Sequence, residues 1–184
     1  MLITYVVHVA DKPGVLNRVS SLVRRRNYNI ESLTVGHAAT PGISRMTLVV
    51  DADPEAAARI EANLYKLVHV LRVENVSTVP AVYRFLALIK VAATAESRTQ
   101  ILQLADVFRA RVVDVAPDSL MIEITGTDEK IDGLLEVLRP FGLMEVAKTG
   151  CLAMSRGKSS RTSLESEPRT DADEPVDAGV SFSV

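Results

Sequence analysis

Tryptophan is absent from this 184-residue chain, and only four tyrosines and four phenylalanines accompany its single cysteine, Cys151. So few rings leave little for stacking single-stranded bases or building an aromatic cage. One cysteine allows neither an internal disulfide nor a thiolate metal cluster, and points to a reducing compartment, the cytoplasm. Apolar runs fall short of the roughly 18 residues of a membrane span. The opening MLITYVVHVA has no basic flank and no small-residue cleavage site, so it reads as a strand rather than a signal.

Charge of one sign is also lacking. Of 21 Lys and Arg and 23 Asp and Glu, four and six fall after Met154, which leaves 17 of each in the body. A formally neutral body argues against sequence-independent nucleic-acid binding, which needs a basic surface. From Ser155 the composition turns to Ser, Pro and charge with few large apolar residues, and residues 155–184 are expected to form a flexible tail.

What remains is apolar enough to fold, at 47% hydrophobic residues, and it is ordered as two similar halves. In the first, Leu2–Ala10 alternates as a strand. Val15, Leu16, Val19, Leu22 and Val23 mark one helix face, and Arg24–Arg26 suit a helix C-terminus. Two strands, 28–37 and 43–51, precede a helix opened by Asp53-Pro54, and 70–79 supplies a fourth strand. The second half repeats the order: a strand in YRFLALIKVAA, a helix over 96–110, strands in RVVDVAP and DSLMIEITG, a helix over 128–138, and a last strand in LMEVAKTGCLAM. The expected architecture is two ferredoxin-like βαββαβ domains, 1–79 and 80–154, each an antiparallel sheet with two helices on one face. Strand 2–10 is apolar on both faces. The helix-free face of its sheet is therefore expected to be covered by another copy or a partner, and dimerisation is expected.

The segment HVADKPGVLNRVSSL carries the first candidate site. Asp11 and Pro13 suit a helix start, and Gly14 eases the turn; on this reading Asp11 is only an N-cap. The other reading is a seat for a zwitterion. Unpaired amides at the helix N-terminus would take a carboxylate, Gly14 would open the approach, and Asp11 would face an ammonium group. RRRNYNIESLTVG then adds the amide of Asn29 and the apolar wall of Ile30. In a dimer, this strand of one chain could face the loop of the other.

Nothing else suggests chemistry. His8, His37 and His69 are scattered without ligand spacing and read as ordinary residues. Cys151 reads as a buried, inert thiol. The chain contains no Walker loop, nucleophile elbow or paired-carboxylate motif.

DKPGVLNRVSSLVRRRNYNIESLTVG, SRMTLVV and KLVHVLRVENV together closely resemble the small, regulatory subunit of acetolactate synthase (acetohydroxyacid synthase), over about residues 1–155. The resemblance implies an N-terminal ACT domain and a second ferredoxin-like domain. It also implies a homodimer that binds valine or another branched-chain amino acid between ACT domains, at Asp11, Gly14, Val15, Leu16, Asn29 and Ile30. Further, it implies no catalytic centre and no cofactor in this chain. Thiamine diphosphate, magnesium and FAD would belong to a large subunit that this chain activates and makes sensitive to feedback. The alternative is a stand-alone ACT-type sensor acting on another partner. A small ferredoxin-like enzyme or RNA binder fits less well, because RRM-type sheet aromatics and excess positive charge are missing.

Overall fold

A computed structural model describes residues 1–157. In the first half, β1 (Leu2–Ala10), α1 (Val15–Arg25), β2 (Ile30–His37), β3 (Ile43–Asp51), α2 (Pro54–Leu64) and β4 (Val70–Asn75) follow in order. The strands form one antiparallel sheet, β2-β3-β1-β4. Its alternation sends Ile3, Tyr5, Val7 and Val9 of β1 toward the helices. There they pack with Val15, Val19 and Val23 of α1, Ile60 and Leu64 of α2, and Leu48 and Val50 of β3. Each of the large side chains buried there stabilises the fold by about 1.5–3 kcal/mol. Tyr5 is fully buried, and its hydroxyl donates to the Ala57 carbonyl at 2.8 Å. Asp53 caps α2 as expected, accepting from the Ala56 amide at 2.7 Å with Pro54 behind it. The fourth strand is shorter than the sequence pattern suggests. The Asn75 side chain accepts from the Ser77 amide and turns Val76–Thr78 into a 3₁₀ turn.

The second half comprises β5 (Ala81–Ala92), α3 (Arg98–Val107), β6 (Arg111–Val115), β7 (Ser119–Gly126), α4 (Asp128–Leu138), β8 (Leu143–Lys148) and β9 (Leu152–Ser155). Its sheet runs β6-β7-β5-β8, again antiparallel. Ile89, Ile122 and Ile124 meet Ile101 of α3 and Ile131 and Leu134 of α4. Each half is thus a βαββαβ unit. Here the expectation of one closing strand fails: LMEVAKTGCLAM breaks at Thr149-Gly150 into β8 and β9. Both pair with β5, β8 along Ala87–Val91 and β9 along Ala81–Arg84. The expected tail lies outside the described residues except for its first three; Ser155 ends β9 and Arg156 donates to the Pro80 carbonyl.

The helix-free face of the first sheet is not left for a second copy alone. β9 and the start of β5 lie across it, and Val6, Val49 and Val76 are buried against Cys151, Ala153, Ala81, Tyr83 and Phe85. One apolar face of β1 is thus spent on the helix-side core and the other, at Val6, on an internal seam, and dimerisation does not follow from them. Beside the seam, Arg45 and Arg72 are cross-strand neighbours of His8. Burial, then Arg45 and then Arg72, lower the His8 pKa below its ordinary value, with Glu74 opposing them. Burial raises the pKa of the Cys151 thiol. Among the described residues no helix is long and apolar enough to cross a membrane.

Candidate functional site

The turn between β1 and α1 is not the capped start the sequence suggests. Gly14, not Asp11, is the N-cap, with φ +80° and no side-chain cap bond. That left-handed backbone is what requires glycine here, since a Cβ would meet nothing within 4 Å. Asp11 faces sideways instead. Its backbone amide donates to the Gly42 carbonyl at 2.8 Å, its Oδ1 accepts from Ser44 Oγ at 3.1 Å, and His37 Nδ1 lies 3.4 Å from Oδ2. The carboxylate remains about half exposed. The Val15 amide donates to the Lys12 carbonyl at 3.4 Å, while the next amides of the first turn of α1 lie before its regular hydrogen bonding begins, so they present donors and a partial positive charge beside it.

Val15 is buried and anchors the turn in the core, whereas Leu16 is 43% exposed and turns an apolar side chain outward. Asp11, Gly14 and Leu16 thus bring together a fixed carboxylate, open backbone and an apolar surface. These are the three contacts an aliphatic amino acid would use.

Asn29 and Ile30 stand elsewhere. Ile30 opposes Val50 of β3, which opposes Ile3 near the beginning of β1, whereas Asp11 follows the end of β1. Six or seven residues of strand, roughly 20 Å, separate the two groups. The eleven-residue α1 runs between them. With Ser20, Arg24, Asn27 and Tyr28, Asn29 and Ile30 line a hollow of about 270 Å³ at the far end of α1. Asn29 is exposed and its Nδ2 donates to Glu31 Oε1. One chain therefore holds the six expected residues as two separate groups.

His37 and Ser44 join Asp11 without any signal in the local sequence. They are cross-strand partners in β2 and β3, and only the strand register brings them to Asp11. A cleft of about 940 Å³ in the seam, lined in part by Thr4, Val49, Tyr83, Phe85 and Lys148, includes none of the six expected residues. Among the described residues no group of three His, Cys, Asp or Glu is arranged to hold a metal ion.

Comparison with known proteins bears on this arrangement. A profile for the AHAS small subunit-like ACT domain matches residues 6–72, and one for the small subunit of acetolactate synthase matches residues 84–157. The acetolactate synthase small subunit of Mycolicibacterium smegmatis is 48% identical, over 84% of this chain and 91% of that protein. The chain belongs to the acetolactate synthase small-subunit family. The Bacillus subtilis acetolactate synthase small subunit is 43% identical over 84% of this chain and 91% of its own length. In three dimensions, the crystal structure of the acetolactate synthase small subunit from Thermotoga maritima superposes with a TM-score of 0.81 at 37% identity. The match covers 86% of this chain and 99% of that one. In small-subunit terms, the first βαββαβ unit is the ACT regulatory domain, and Asp11, Gly14 and Leu16 lie at its β1–α1 turn.

Proposed function

We propose that this chain is the non-catalytic regulatory subunit of acetolactate synthase. On this reading it pairs with itself and with a large catalytic subunit, raises that subunit's activity, and makes it subject to feedback by valine or another branched-chain amino acid. The thiamine diphosphate, magnesium and FAD chemistry is assigned to the large subunit. The observation that carries the effector site is the separation of its two groups within one chain.

A two-chain site resolves that separation. Among the described residues β2 pairs with β3 only, so its other edge is available. Suppose two copies join these edges antiparallel about a two-fold axis between Leu33 and Thr34. Ile30 of one chain then stands opposite His37 in the second copy, and His37 lies beside Asp11. Asn29 and Ile30 of one chain would meet the Asp11–Leu16 turn of the other. The amides of α1 would take the ligand carboxylate, and Asp11 with the Asn29 amide would take the ammonium group. Leu16 and Ile30 would flank an aliphatic side chain. A ligand held by two chains is tied to their relative arrangement, which is how its binding would reach the catalytic partner.

The test is acetolactate formation by the purified large subunit, with and without this chain, across a valine titration. Stimulation by the chain and its reversal by valine are expected. No stimulation and no valine effect would overturn the reading.

A further inference from the structure

Within the seam, one short segment touches both halves of the molecule. Thr149 belongs to the second half: its amide donates to the Leu86 carbonyl at 2.9 Å, and its Oγ1 accepts from the Leu86 amide at 3.0 Å. The next two residues sit on the first half. The Cys151 amide donates to Ser32 Oγ of β2 at 2.7 Å. A Cβ on Gly150 would stand 2.6 Å from Thr34 Oγ1, 2.8 Å from Ser32 Oγ and 3.0 Å from the Leu33 carbonyl oxygen. Gly150 does not lie in the left-handed region. It is required by the closeness of β2, not by its own backbone. Farther along, Arg45 donates to the Ala153 carbonyl, so β3 holds the same segment a second time.

The strand it rests on begins at the effector residues. A register shift falls between Ile30 and Ser32, so Ile30 opposes Val50 and packs toward the helices, whereas Ser32 opposes Val49 and faces the seam. Such a bulge re-aims neighbouring side chains and makes their directions depend on local twist. Glu31, at the bulge, accepts from Asn29 Nδ2. Ile30 is therefore two residues from Ser32, whose hydroxyl accepts from the Cys151 amide, and three from the Leu33 carbonyl that approaches Gly150. Packed contacts of this kind shift between discrete arrangements and do not stretch gradually.

We propose that Ser32 and Gly150 form the coupling contact through which effector occupancy at β2 is passed to the second half of the chain. Both are positioning residues: neither touches the ligand. The inference rests on the regulatory reading above and extends it by naming the contact that carries the signal.

Gly150→Ala wedges β9 away from β2, and Ser32→Ala deletes only the hydroxyl. Ser155→Ala is the matched control, because it deletes a hydroxyl from β9 itself, as Ser32→Ala does from β2, and lies away from the β2 edge. The experiment measures valine binding to each small subunit by calorimetry and valine inhibition of the enzyme assembled with the large subunit. For Gly150→Ala, maximal inhibition should fall by about half or more while the dissociation constant stays within about two-fold of wild type. Ser32→Ala should move the same way by less, and serves where Gly150→Ala fails to fold. Ser155→Ala should match wild type. Inhibition of Gly150→Ala and Ser32→Ala equal to wild type would overturn the proposal. So would loss of binding in proportion to the lost response, which would make the pair part of the ligand site. Failure of the underlying reading looks different: wild-type enzyme itself would then ignore valine.

Discussion

His37 Nδ1 lies 3.4 Å from Asp11 Oδ2, joining the last residue of β2 to the residue after β1. Both side chains are well exposed, so as an ion pair the contact contributes little. Its meaning is positional, because the free edge of β2 ends beside the carboxylate expected to receive an ammonium group. Asp11→Asn keeps an oxygen for Ser44 and removes the charge. A charge-assisted hydrogen bond contributes about 1.5–3 kcal/mol, so valine affinity should fall by about ten-fold or more. Calorimetry on the purified chain measures this, and an unchanged affinity would show that Asp11 does not meet the ligand.

The two-chain site makes a sharper prediction. Asn29→Ala should also abolish tight binding without loss of stability, since Asn29 is exposed and its side chain hydrogen-bonds to Glu31, itself exposed. Coexpressed Asp11→Asn and Asn29→Ala chains should then regain binding. Each mixed dimer would hold one site with both wild-type residues and one with neither. Isolated mixed dimers should bind about one ligand where wild type binds two. A mixture as inactive as its parents would exclude a shared site.

Gly14→Ala tests the left-handed turn. The new methyl has room, so the cost is backbone conformation alone, about 1–2 kcal/mol. Urea unfolding should show a lower midpoint with the same slope. Gly36→Ala, in an ordinary conformation, should lack this penalty.

His8 gives the fold a pH dependence with a definite sign. Its pKa is lowered in the folded chain by burial, by Arg45 and by Arg72. The unfolded chain therefore takes up the proton first as pH falls through the ordinary histidine range near 6.5. The contribution of neutral His8 is present above that range and is lost on acidification. Stability from urea unfolding should decline between about pH 7 and pH 5, and His8→Leu should flatten that part of the curve. An equal slope in the variant would assign the loss to other groups.

Cys151 reports on the seam. Its side chain is 3% exposed and burial raises its pKa, so thiolate is scarce and shielded. Alkylation by iodoacetamide at pH 8 should be at least about ten-fold slower in the folded chain than in urea. Gly150→Ala should speed it if the seam opens there.

Much of the fold was legible in order and periodicity. The alternation of Tyr5, Val7 and Val9 and the spacing of Val15, Val19 and Val23 mark the faces that meet in the first core. Ile131, Leu134 and Leu138 do the same in the second. Local chemistry is legible at Asp53, whose cap needs only the next few residues. It misleads at Asp11, because Gly14 is the N-cap. The same residue type before a helix turned away to Ser44 and His37, 33 and 26 positions on, neither of which local spacing can reveal. The break at Gly150 was likewise invisible, because what requires it is β2, more than a hundred residues away.

Periodicity and short-range capping were enough to set the elements and their order, since each depends on neighbours along the chain. Motif resemblance pointed to the family. Only the folded chain decided that the helix-free face of the first sheet is covered by β9, that Asp11 and Asn29 stand at opposite ends of α1, and that Gly150 must lack a side chain. Those facts depend on strand register and on the approach of distant backbone, and neither is encoded in any local window of sequence.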